Sequence, residues 1–194
     1  MSIALDSSAI TSPATTYLVQ SQPLTAAAFA PFGEVLETSE RTPISINQGM
    51  TERYHALARV DAGGEDGHAL INIFQALPYS AAPLLREMER HPLGSQAFMP
   101  LEGQSFIVVV APASDTVRAQ DLRVFVTDGH QGVNYRRGVW HHSLITLGAP
   151  SRFLVVDRGG AGHNCDVVPI GTGDAVRIGL SEEHARLLLD GQHG

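Results

Sequence analysis

Along most of the chain, apolar and polar residues alternate over roughly four to eight positions and then break at Gly, Pro, Asn or Asp, the period of short half-buried strands. Tyr17–Gln20, Leu70–Gln75, Ser95–Phe98, Ser105–Ala111, Leu122–Thr127, Gly138–Ile145 and Ser151–Val156 are the predicted strands. Leu101-Glu-Gly103 and Asp128-Gly129 read as turns between them. Ile107–Val110 has no polar alternation, so this strand should be covered on both faces. Helical signals are confined to two places. Thr25 can cap a short helix through Ala26–Ala30, which Pro31 and Gly33 stop. Residues 181–190 follow with Ser181 as N-cap, two acids in the first turn and Gly191 at the end. Pro83–His91 fits two periods. As a helix it aligns Leu84 with Met88 and Glu87 with His91; as a strand it puts Glu87, Glu89 and His91 on one face. Pro92 and Gly94 would stop a helix at once, and the strand turns Glu89 and His91 inward together, so the strand is adopted. The pattern describes a mainly β domain, an antiparallel sandwich or barrel with a few short helices.

Charge and composition remove several function classes. The net charge is -7 with a pI near 5.6, and no basic stripe or helix-turn-helix pattern is present, which excludes nucleic acid and anionic membrane as partners. All 13 basic residues are arginine. Without lysine there is no side-chain amine for a Schiff base, and arginine is the cation left to fork a carboxylate. The single cysteine, Cys165, permits no intramolecular disulfide. Residues 1–16 are rich in Ser, Thr and Ala, without the basic and long apolar regions of a signal peptide. The longest apolar run, Phe106–Pro112, is too short to span a bilayer. A soluble, cytoplasmic protein is expected.

Two distant segments carry candidate chemistry. Glu89, His91 and Gln96 lead to Gly103, and Gly138-Val-Trp-His141 follows some distance later. The pair resembles the two metal motifs of cupin barrels, with Glu89 where the first histidine stands and Gln96 where the carboxylate stands. The resemblance implies Glu89, His91, Gln96 and His141 as ligands, a set able to hold Ni, Mn, Fe or Zn. The lost histidine and the amide weaken that set, and a metal-free polar lumen is the alternative. Neighbours on a strand face opposite ways, so His141 is taken as inward and His142 as structural or interfacial.

Further motifs narrow the resemblance. Glu52-Arg-Tyr-His55, Arg90-His-Pro-Leu-Gly-Ser-Gln-Ala-Phe98, Gly132-Val-Asn-Tyr135, Val139-Trp-His-His142, Asp157-Arg-Gly-Gly160 and Asn164-Cys-Asp166 occur in this order. Together they closely resemble the ureidoglycolate lyases of allantoin catabolism over residues 17–168. Residues 1–16 are then a flexible tail, and 169–194 a C-terminal extension with a short helix. The resemblance implies a homodimeric, cupin-like β-barrel or jelly roll that splits (S)-ureidoglycolate into glyoxylate and urea, with nickel as the implied ion. Such a cleavage needs a base at the carbinol hydroxyl and an acid at the departing nitrogen. His91 or His141 can be the base, with Glu89 as partner. Arg53, Arg158 and Arg137 are candidates for the substrate carboxylate, the first two preferred, and Tyr135 and Asn72 for the urea end. Arg158 has a second reading, as a loop arginine bonding carbonyls near Gly159-Gly160. Trp140 is expected in the core, Cys165 as a small buried apolar residue, and Asp157 as a partner for loop donors. Two other functions stay open: a hydrolase releasing ammonia from the same ureido group, and a non-catalytic cupin that binds a small carboxylate.

Overall fold

Ile107–Ala111, the run without polar alternation, is buried at every position in the computed structural model, which describes residues 15–39 and 41–190. Among the described residues, fifteen strands and two α-helices follow one another as β1 (Thr16–Pro23), α1 (Ala26–Phe29), β2 (Gly33–Leu36), β3 (Ile44–Ile46), β4 (Thr51–Arg53), β5 (His68–Ala76), β6 (Leu84–Leu85), β7 (Glu87–Arg90), β8 (Gln96–Pro100), β9 (Ile107–Ala111), β10 (Arg123–Val126), β11 (Gly132–Tyr135), β12 (Trp140–His141), β13 (Ser151–Gly159), β14 (Asp166–Pro169), β15 (Ala175–Gly179) and α2 (Glu182–Asp190). Eight strands form one sheet in the order β14-β7-β12-β9-β10-β1-β15-β6, and five form a second, β2-β11-β8-β13-β5. β3 and β4 pair with each other as a separate hairpin. This is the mainly β fold that the alternation predicts, consistent with the cupin-like architecture that the motif resemblance implies. Its pairing departs from a purely antiparallel pattern at β1, which runs parallel to both β10 and β15.

The two faces of β9 explain the layering. Val108 and Val110 point between the sheets and join Phe98 of β8, Val133 and Tyr135 of β11, and Phe153 and Val155 of β13 in one apolar cluster. Ile107, Val109 and Ala111 point the other way and pack with Trp140, Met88, Val176 and Leu188 of α2. Both faces of this strand are therefore dry, which is why it tolerates no polar residue. The helix signals hold: Thr25 Oγ1 accepts from the Ala28 N–H at 3.2 Å, and Ser181 Oγ from the His184 N–H at 3.1 Å. Of the tail predicted over residues 1–16, residues 1–14 lie outside the described residues and Thr16 already belongs to β1, and the stop at Gly191 also lies outside them.

Several strands and boundaries differ from the sequence pattern. The strand predicted over Gly138–Ile145 contracts to Trp140–His141, and Ile145 keeps an isolated bridge to Ile107. Gly138 sits at φ +75°, ahead of the strand, and Ser143 and Leu144 leave the ladder to wall a cavity. β13 runs on to Gly159 because its partner β5 continues to His68. β11 escapes the alternation test because all four of its positions are buried. Pro83–His91 is extended, as Pro92 and Gly94 predict, with β7 ending one residue before His91.

Candidate active site

The register of three strands assembles the centre. β12 lies between β7 and β9, and His141 stands opposite Glu89. Alternation turns Trp140 into the outer core and His141 between the sheets, where it is buried. From the second sheet, β8 brings Gln96 opposite Tyr135 of β11. The Tyr135 ring stacks on His141 with centroids 4.3 Å apart and planes 14° apart. His91 follows β7, and its ring centre lies 5.1 Å from that of His141.

Both imidazoles have one nitrogen committed to the backbone. Nδ1–H of His141 donates to the Val139 carbonyl at 3.1 Å, and Nδ1–H of His91 to the Asn164 carbonyl at 2.6 Å. This tautomer leaves each Nε2 with a lone pair aimed into the site. Nε2 of His141 is buried with no hydrogen-bond partner and lies 3.6 Å from Glu89 Oε1. Nε2 of His91 lies 3.1 Å from Gln96 Oε1, so two acceptors face each other unless a cation or a proton lies between them or the amide turns its NH2 inward. Burial, and secondarily the neighbouring His91, push the His141 pKa down to about 3, against the pull of the Val139 carbonyl. His141 is therefore neutral at physiological pH. Burial and then the Glu89 charge raise the Tyr135 pKa, keeping its phenol protonated.

A divalent ion about 2.1 Å from each ligand places its donor atoms roughly 3–4 Å apart. Ligand atoms of Glu89, His91 and His141 lie within 4.8 Å of one another, and the closest pairs of the set already have such spacing. An orphaned buried imidazole nitrogen, two histidines braced by carbonyls and one carboxylate are a donor set that fits a metal.

Two cavities meet at this centre. The larger, about 630 Å³, is walled by Glu89, Gln96, Phe74, Phe98, Tyr79 and Leu144 among others. The second, about 420 Å³, is more polar and is lined by His91, Gln96, Asp157, Arg158, Asn164 and Cys165 among others. Sequence reasoning missed Asn164, whose carbonyl orients His91 and whose Oδ1 takes the Leu93 N–H at 2.8 Å; its place in a shared motif was the available signal. It also missed the walls Phe74, Phe98, Ser143 and Leu144, for which the sequence carries no signal beyond apolar strand positions.

The other site candidates fall in different places. Arg158 reaches the polar cavity, but Nε donates to Gly63 O, Nη1 to Gly160 O, and Nη2 to Glu65 O and Ala161 O. Four of its five N–H groups brace the surrounding loops, the second of the two sequence readings. Arg137 pairs through both Nε and Nη2 with Asp61 and lines neither cavity. Arg53 is exposed on β4, bonded to His55 Nδ1 at 2.8 Å, and also lines neither. Asn72 donates to Asp157 Oδ1 at 3.0 Å. Cys165 is exposed rather than buried, because β14 begins only at Asp166; partial desolvation, then Glu89 and Asp166, raise its pKa and keep it a thiol. Trp140 is core, as expected. Replacing Arg158 by alanine would orphan four carbonyls at a nearly buried position and should cost about 3 kcal/mol of stability. Urea denaturation at neutral pH checks this, and a loss below about 1 kcal/mol would deny Arg158 its bracing role.

Residues 16–177 match the sequence profile of ureidoglycolate lyase. The chain belongs to the ureidoglycolate lyase family. A ureidoglycolate lyase of Burkholderia mallei is 55% identical over 143 residues, which is 74% of this chain and 84% of that protein. Those of Azotobacter vinelandii and Pseudomonas aeruginosa are each 52% identical over 145 residues, 75% of this chain and 87% and 86% of theirs. The residues matched to the family contain every site residue described above and extend into β15. No helix among the described residues is long and apolar enough to cross a membrane.

Proposed function

We propose that the protein cleaves (S)-ureidoglycolate to glyoxylate and urea at the Glu89–His91–His141 centre. The observation that carries this reading is the convergence of two imidazole Nε2 lone pairs and a carboxylate from separate segments, inside the residues matched to a lyase family. The substrate is a carbinolamide, so its C–N bond breaks without a protein nucleophile. The carbinol O–H loses its proton as the C=O of glyoxylate forms, the C–N electron pair goes to nitrogen, and that nitrogen gains a proton to leave as urea. Glu89 is suited to carry the proton, since its carboxylate lines the larger cavity and lies beside His141. His91 and His141, with Nδ1 hydrogens spent on carbonyls, turn neutral Nε2 lone pairs toward the reacting centre, where they would hold a divalent ion. Tyr135 supports this from behind by stacking on His141.

A divalent ion held by Glu89, His91, His141 and Gln96 would supply Lewis acidity that lowers the pKa of the hydroxyl. Nickel is the ion the family resemblance implies, and manganese, iron or zinc also suits these donors. Arg158 is the best placed of the three arginines for the substrate carboxylate, through its remaining Nη1–H and its charge in the polar cavity. Asp157, steadied by Asn72, offers an acceptor to the urea N–H groups. The family resemblance also supports a homodimer, and the lone cysteine of a metabolic enzyme supports a cytoplasmic location.

Stereochemistry tests the reading. Given racemic ureidoglycolate, the enzyme should consume half of it and leave the (R) form, as read by chiral chromatography. Consumption of both forms at equal rates, or of neither, contradicts the proposal.

A further inference from the structure

β5 is an edge with nothing to blunt it. It closes the five-stranded sheet, pairs along all nine residues with β13, and has no strand on its other side among the described residues. Edges left open in this way are normally broken by lysine, proline, a bulge or an inward charge. The segment His-Ala-Leu-Ile-Asn-Ile-Phe-Gln-Ala contains no proline and no Asp, Glu, Lys or Arg. Its apolar side chains are instead exposed: Ile71 by 76%, Ile73 by 58%, and Leu70 and Phe74 by 40% each. Leu77 and Tyr79, just beyond it, are exposed as well.

The order of these residues says what covers them. Leu70-Ile71-Asn72-Ile73-Phe74 is nearly symmetric in character about Asn72. An antiparallel strand of the same sequence, related by a two-fold axis at Asn72, sets Ile71 against the partner's Ile73 and Phe74 against the partner's Leu70. Apolar groups then meet apolar groups at each of these positions. A two-fold contact of this kind is isologous and closes on itself, so it ends in a dimer rather than a fibre. The strand is also free of formal side-chain charge, so two copies of a chain with net charge -7 can meet there without opposing carboxylates.

We infer that β5 is the dimer surface, pairing antiparallel with β5 of a second copy about Asn72 and joining two five-stranded sheets into one of ten. This rests on the homodimer proposed above and adds its location and register. It also gives the dimer a part in the site, because Phe74, Gln75 and Ala76 wall the larger cavity. In this register the partner's His68 falls beside Ala76, at the rim of that cavity.

Sedimentation and cysteine cross-linking test the inference. The wild-type chain of 20.7 kDa should sediment at twice that mass, and the Ile71→Asp, Ile73→Asp variant at the single mass with an unchanged circular dichroism spectrum. Asn72→Cys in a Cys165→Ser background should form a disulfide-linked dimer on mild oxidation. Residues facing each other across an antiparallel pair have Cα atoms about 4.5 or 5.5 Å apart, within the span of a disulfide. Should the double variant fail to fold, the cross-link alone decides. A wild-type monomer would overturn both the dimer and its surface. A wild-type dimer whose Asn72→Cys form does not cross-link would overturn the surface and leave the dimer standing.

Discussion

Replacing His91 by alanine is expected to lower kcat/KM for ureidoglycolate at least about 10³-fold, roughly 4 kcal/mol of transition-state stabilisation. The ring is held by the Asn164 carbonyl at Nδ1, turns its Nε2 lone pair toward Gln96, and packs against His141. Removing it deletes one of the two imidazole Nε2 lone pairs that converge on the reacting centre. The stability cost should stay near 1–2 kcal/mol, because the residue is only half-buried and its lost hydrogen bonds face a cavity that water can fill. Steady-state kinetics of urea release, with a urea-denaturation curve for the same sample, separates the two effects. A variant that folds and keeps activity within tenfold of wild type would remove His91 from the reacting centre.

Metal removal should have an effect of similar size. Dialysis against a chelator is expected to reduce turnover at least about 100-fold, and one divalent ion should restore it. Nε2 of His141 is a buried lone pair with no hydrogen-bond partner, beside the Glu89 carboxylate, and a divalent ion would satisfy both. Glu89 brings the one formal negative charge among the four proposed ligands. Glu89→Gln should therefore weaken nickel binding at least about 100-fold in equilibrium dialysis, a readout independent of catalysis. Unchanged activity after chelation, together with no nickel bound by the wild-type protein, would leave the polar lumen working without an ion.

Much of this centre is legible before folding is considered, because it depends on alternation. Period two alone places Glu89 and His91 on one face and separates His141 from His142 and Trp140. The continuous apolar run of β9 announces a strand buried between two layers. What the sequence hides are relations between segments far apart in the chain. The carbonyls of Gly63, Glu65, Gly160 and Ala161 converge only in three dimensions, and there they absorb the Arg158 guanidinium. Arg137 likewise finds Asp61, which lies 76 positions away in sequence. Backbone groups such as the carbonyls of Asn164 and Val139 leave no trace in residue identity, yet they set the histidine tautomers. β11 is hidden for a different reason, since a four-residue strand buried on both faces has no alternation to read.

The most direct test of the whole reading is the stoichiometry of products from purified enzyme and ureidoglycolate, with urea, glyoxylate and ammonia measured in the same reaction. Urea and glyoxylate in equal amounts, with no ammonia, are predicted for a lyase in which Glu89 moves one proton from oxygen to nitrogen. Ammonia in place of urea would mean that water attacks the ureido carbonyl, and would contradict the mechanism.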